Sequence, residues 1–143
     1  MPMLERAITI HAPVERVFDF VDDPKNLPKI WPSLYEIKSV KRLPNGGHSF
    51  DWLYNMAGQH LEGKVETVER VAYKRIVDKA LGGIETRFVW TFQGENGTTK
   101  VKFEADYEVP PKYFPREEMP FVLRRNEFEA DTLLANLKAK FEA

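Results

Sequence analysis

Polar and apolar residues alternate over most of the chain, and only its last quarter shows long helical spacing. From Leu4 to His11, Leu4, Ile8 and Ile10 alternate loosely with Glu5 and Thr9, which predicts a first strand. Ala12-Pro13 ends it. Val14, Val17, Phe18 and Val21 then recur at helical spacing, so a short amphipathic helix is expected over Pro13 to Val21, with Pro13 suited to its first turn. Asp22-Asp23-Pro24 stops that helix. Asn26 to Ser33 carries Pro28 and Pro32 around Ile30 and Trp31 and has room for little more than a turn or two of helix.

From Leu34 onward the chain reads as strands divided by turn signals. Strands are expected over Leu34 to Leu43, His48 to Ala57, Gln59 to Arg70, Ala72 to Ala80, Ile84 to Gln93 and Thr99 to Val109. Pro44-Asn45-Gly46-Gly47, Gly58, Leu81-Gly82-Gly83 and Asn96-Gly97 supply the turns between them. Aromatic rings concentrate on one side: Phe50, Trp52 and Tyr54 share a face with His48, Phe88, Trp90 and Phe92 with Thr86, and Phe103 and Tyr107 with Ala105. Asp51, Asp78, Glu85 and Arg87 are assigned to the opposite, outer face, and Arg75 stands on a strand without clean alternation.

The remaining stretch, from about Glu117, is one long helix. Met119, Val122, Leu123, Ala130, Leu133, Leu134, Leu137 and Phe141 form its apolar stripe at about 100° per residue. Asn126 lies within the stripe, Pro120 fits only the first turn, and Arg124-Arg125 reads as solvated charge. Phe121 and Phe128 lie on the opposite side and are expected to pack under the Pro110 to Pro115 loop, the alternative being a contact with a second copy. A meander of one-sided strands needs a common cover, and this helix is the element large enough to supply it. The fold class is therefore α+β: a curved antiparallel sheet around a long C-terminal helix, with two short helices between the first two strands.

Composition narrows the function without naming it. A chain of 143 residues fits one domain with a core and an internal pocket. A formal net charge of −1, with charges alternating in sign along the strands, argues against nucleic acid. There is no cysteine, hence no disulfide, thiol nucleophile or thiolate metal site, and the three histidines have no metal-ligand spacing. No run approaches the roughly 20 apolar residues of a membrane span, and no secretory signal pattern opens the chain, so the expected setting is the cytoplasm, as monomer or homodimer. No phosphate loop, dinucleotide fingerprint or nucleophile elbow is present, and no cofactor is expected.

The chain resembles the helix-grip superfamily, the START/SRPBCC group that includes polyketide cyclase/dehydrase-like and lipid-transport proteins. The resemblance rests on Ile8-Thr9-Ile10-His11-Ala12-Pro13 running into Val14, Val17 and Phe18, on Asp22, Pro28, Trp31 and Pro32, and on Gly82-Gly83, Gly97-Thr98 and the helix ending Leu137-Lys138. It implies a seven-stranded sheet gripping the terminal helix, with a cavity between them for lipids, polyketides, steroids or other apolar molecules. It implies no universal catalytic residue.

The residues expected to line such a cavity are Trp31, Phe50, Trp52, Tyr54, Thr86, Phe88, Trp90, Tyr107, Asn126 and Ala130, with Thr67 and Gly63 widening it. Each ring taken alone reads first as a core residue, but tryptophan and tyrosine carry polar tips that want partners when buried, so several on one concave face point to a ligand-filled space. Asn126 must likewise be satisfied, by Tyr54, Tyr107, a backbone carbonyl, a ligand or solvent near the helix start, because a buried amide left unpaired costs about 1 to 3 kcal/mol. His48, Tyr54 and Tyr107 are the candidates for proton exchange, although His48 begins its strand at a turn, where a rim or solvent position is the more natural one. Three readings follow: a binding protein for a small apolar or aromatic molecule, a polyketide cyclase/dehydrase-type enzyme, and a protein-interaction module of the same fold.

Overall fold

The computed structural model describes residues 4–142. The strands are β1 (Leu4–Ile10), β2 (Leu34–Arg42), β3 (His48–Met56), β4 (Gln59–Val71), β5 (Arg75–Leu81), β6 (Thr86–Glu95) and β7 (Thr98–Tyr107). They form one antiparallel sheet in the order β1-β7-β6-β5-β4-β3-β2. Because β1 and β2 are its opposite edges, the short helix α1 (Val14–Asp22) and a 3-10 turn (Pro24–Lys29) carry the chain from one edge to the other. The long helix α2 (Met119–Phe141) follows a second 3-10 turn and lays Val122, Ala130, Leu133, Leu134 and Leu137 into the core. Each of the valine and leucine side chains contributes on the order of 2 kcal/mol of gross burial energy.

Side-chain bonds tie the helices to the sheet. Lys138 Nζ donates to the Thr9 carbonyl at 3.1 Å, and the His11 backbone N–H donates to Glu142 Oε2 at 3.0 Å. At the far corner, Arg70 donates from Nε and Nη2 to the two oxygens of Asp22, at 3.0 and 2.8 Å, while its guanidinium lies 5.2 Å from the Phe18 ring centroid. Both partners are largely covered, so removing one leaves a poorly solvated charge. Asp22→Ala is expected to lower unfolding free energy by about 2 kcal/mol, and adding Arg70→Met should recover much of that loss. Urea unfolding of the two variants checks both statements.

Three expectations are corrected. The fifth strand starts at Arg75 rather than Ala72, because Tyr73 adopts φ +63° and Lys74 N–H turns back to the Val71 carbonyl at 3.0 Å. Phe121 and Phe128 do not pack under the Pro110 to Pro115 loop but stand 54% and 73% exposed, and Phe114 is the ring that loop buries. Asp78 faces inward. β4 takes an extra residue between Thr67 and Glu69, which reverses the strand's phase. That brings Arg70, across from Ile76, to the same inward face as Thr67; Asp78 is inward by the alternation of its own strand, in phase with Ile76 and Ala80, across from Thr67 on one side and the inward Phe88 on the other. Arg75 pairs with Glu69 at 2.9 Å on the surface.

Candidate ligand-binding cavity

Alternation places Trp52 and Tyr54 of β3, Thr86 and Phe88 of β6, and Phe103 and Tyr107 of β7 on the concave side of the sheet, and α2 lies across them. Between them is a cavity of about 80 Å³. Trp52, Tyr54, Thr86, Phe88 and Tyr107 line it from the sheet, Asn126 and Ala130 from α2, and Trp31 from the connector before β2.

The polar groups of the cavity are few and ordered. Asn126 Nδ2 donates to Tyr107 Oη at 2.9 Å and makes a weaker contact to Met56 Sδ at 3.7 Å. Of the partners open to Asn126 in the sequence, Tyr107 is therefore the one it takes. Tyr54 Oη accepts from the Ile84 N–H at 3.4 Å, and Thr86 Oγ1 donates to the Ile84 carbonyl at 3.1 Å. Burial pushes both phenols up, with the Ile84 bond on Tyr54 and the Asn126 bond on Tyr107 partly offsetting it. Both hydroxyls are neutral donors at ordinary pH.

Phe50, Trp90 and His48 do not line this cavity. They border a smaller compartment with Asp22, Thr67 and Asp78, beyond the rings of Trp52 and Phe88. The split has a simple origin: residues two apart on a strand share a face but lie about 7 Å apart along it, and the wide rings at Trp52 and Phe88 fill the space between. In that compartment Thr67 Oγ1 accepts from the His48 N–H at 3.2 Å and donates to Asp78 Oδ1 at 2.8 Å. Burial lowers the His48 pKa, and Arg42 and Arg70 add to this against Asp22 and Asp23.

Gly63 does not widen the cavity either. A side chain there would stand 3.0 Å from Trp52 Nε1, so its absence makes room for the indole. That Nε1 is the one buried side-chain nitrogen or oxygen without a partner among the described residues. Sequence reasoning missed Met56, Arg125 and Glu129 as lining residues. Met56 shares the inward phase of Tyr54 and so carried a signal in its spacing, whereas Glu129 reads as a solvated carboxylate on the helix flank. Arg125 reaches the cavity from an exposed position.

A curved antiparallel sheet gripping one long helix over a partly polar cavity defines a START-like, helix-grip protein. The chain belongs to the family of polyketide cyclase / dehydrase and lipid transport proteins, whose profile matches residues 1–142. No curated protein matches it in sequence. Among solved structures it is similar to the Zhui aromatase/cyclase from Streptomyces sp. R1128, at 15% identity and TM-score 0.75 over 98% of this chain and 95% of that one. It is also similar to a START superfamily protein from Mycobacterium smegmatis, at 13% identity and TM-score 0.76 over 99% and 98%. A third is TTHA0849 from Thermus thermophilus, at 22% identity and TM-score 0.73 over 96% and 95%. At these identities the likeness is one of fold. Among the described residues no helix is long and apolar enough to cross a membrane.

Proposed function

We propose that the protein binds a small apolar or aromatic molecule, lipid- or polyketide-like, whose hydroxyl or carbonyl meets the Tyr107–Asn126 pair. That pair carries the reading. Tyr107 Oη accepts from Asn126 and keeps its own proton to give, while Asn126 Oδ1 keeps its lone pairs to receive. A donor and an acceptor side by side in an apolar wall match a hydroxylated ring, which offers one of each. The family and the Zhui neighbour support an apolar or polyketide-like occupant.

Extraction of small molecules that co-purify, with native mass spectrometry of the intact protein, tests the class of occupant directly. A naphthol serves as a defined probe. Tyr107→Phe and Asn126→Leu are each expected to weaken it roughly five- to tenfold in calorimetric titration, the worth of about one hydrogen bond. Unchanged affinity in both variants would remove the polar pair from the reading.

The second reading, a cyclase-type enzyme, has one observation in its favour: Tyr54 and Tyr107 present two neutral phenols to one cavity. Either can give a proton to a carbonyl of a chain held folded between the rings. His48 drops out of this reading because it borders the other compartment. Tyr54→Phe or Tyr107→Phe would then slow turnover of a polyketide-like substrate about a hundredfold, and unchanged turnover in both counts against catalysis. The void beside α2 favours either ligand reading over a module acting only through its exterior.

A further inference from the structure

Every aromatic wall of the cavity but one stands on a strand. The exception is Trp31, which lies in the irregular connector between the 3-10 turn and β2. Its indole meets Trp52, Phe88 and Phe103 edge-on, at centroid distances of 5.7, 5.4 and 5.8 Å and interplanar angles of 89–90°. A ring perpendicular to three others takes volume out of the cavity and makes favourable contacts with all of them.

The backbone behind this ring is fixed from both sides. Trp31 N–H donates to the Leu27 carbonyl at 2.9 Å, and Leu34 N–H donates to the Trp31 carbonyl at 3.1 Å. α2 adds two bonds that flank the residue: Asn136 Nδ2 donates to the Ile30 carbonyl at 3.0 Å, and the Ser33 N–H donates to Glu129 Oε1 at 2.8 Å. Glu129 stands four residues after Arg125, a spacing that suits an ion pair, yet its carboxylate is turned to Ser33. Two helix side chains are thus committed to one short stretch of connector.

We propose that Trp31 is the size-determining wall of the cavity, and that Glu129 and Asn136 are positioning residues that hold it there. This rests on the binding reading above and narrows its ligand class to compact hydroxylated aromatics, since the cavity left beside Trp31 measures about 80 Å³.

The test titrates the full chain calorimetrically with phenol, a naphthol and a hydroxyanthracene. The wild type is expected to prefer the naphthol to the hydroxyanthracene by at least tenfold. Trp31→Ala should move that preference at least tenfold toward the larger compound, and Trp31→Leu, which keeps more of the packing, should move it in the same direction. Glu129→Ala should shift it about threefold. Glu129→Gln, whose side-chain carbonyl still accepts from Ser33, should restore the wild-type ratio, an outcome that general loss of stability cannot imitate. A naphthol bound only by the Trp31 variants supports the wall and confines the wild-type cavity to a single ring. Binding retained with an unchanged size preference in both Trp31 variants overturns it and leaves the binding reading intact. Glu129→Gln behaving like Glu129→Ala overturns the positioning role. Binding of none of the three compounds by any variant overturns the binding reading and the wall together.

Discussion

Gly47→Ala is expected to destabilise the protein by about 3 kcal/mol, at the upper end of ordinary overpacking, and to lower its melting temperature by roughly 9 °C. A methyl group at this position would stand 2.3 Å from Thr67 Cβ, 2.4 Å from its Cγ2 and 2.8 Å from its Oγ1. The obstacle is a Cβ fixed to the β4 backbone, so no side-chain rotation relieves it. Thr67 cannot yield cheaply either, since its hydroxyl serves both the His48 N–H and Asp78. The neighbouring turn is also pinned: Gly47 N–H donates to Asn45 Oδ1 at 2.8 Å, and Leu43 N–H donates to the Gly47 carbonyl at 2.8 Å. Gly97→Ala is the control. It meets nothing within 4 Å but has φ +79°, so its cost is only the left-handed backbone, about 1 kcal/mol. Thermal melts of the two variants should differ clearly, and equal melts would contradict the close approach of Gly47 to Thr67.

The same corner marks where the sequence stops being legible. Strands and the roof helix can be read because each has one buried face, and a half-buried element writes its period into the chain. Turn chemistry adds the order, since Asn96-Gly97 and Gly82-Gly83 allow few geometries other than tight reversals; all four adopt positive φ. The extra residue in β4 cannot be read. Val68 is the one apolar residue from Thr67 to Arg70 and it is exposed, so nothing there betrays a change of phase and simple alternation leaves Arg70 without its partner; Asp78 is misplaced for a different reason, since a carboxylate in phase with Ile76 and Ala80 looks like an outer residue. Gly47 reads as a turn residue, and only the fold shows that it is a glycine because β4 passes over it.

The candidate cavity is legible as a face but not as a depth. His48, Phe50, Trp52 and Tyr54 obey one alternation, and nothing in that pattern says that the cavity ends at Trp52 while Phe50 and His48 border another compartment. Asn126 can be singled out because it breaks an apolar stripe. Glu129 and Asn136 cannot, since a carboxylate and an amide on a helix flank look like solvated positions until the connector they hold is placed beside them.

Asp78→Asn is expected to stabilise the protein at neutral and alkaline pH and to leave it unchanged in acid. The carboxyl lies on the concave face between Thr67 and Phe88, where burial lifts its pKa from the usual 3.8 to about 6 and Asp22 adds to the lift, against the hydrogen bond from Thr67. The folded state thus holds the proton more tightly than the unfolded chain does. Below the lower value both states are protonated and the residue costs nothing. As pH rises through the interval, stability falls, and above about 6 the whole penalty is present. Each pH unit between the two values is worth about 1.4 kcal/mol, which bounds the penalty near roughly 3 kcal/mol. Asp78 keeps some contact with solvent, so about 2 kcal/mol is the better expectation. Asparagine keeps an oxygen for the Thr67 hydroxyl and directs its amide into the compartment that Asp22 also borders. At pH 8 the variant should therefore melt roughly 6 °C above the wild type, and the gap should close as pH is lowered through the interval from about 6 to about 4. A variant no more stable at pH 8, or a gap that stays constant down to pH 4, would mean that the carboxyl is solvated in the folded protein and ionises there as readily as in the unfolded chain.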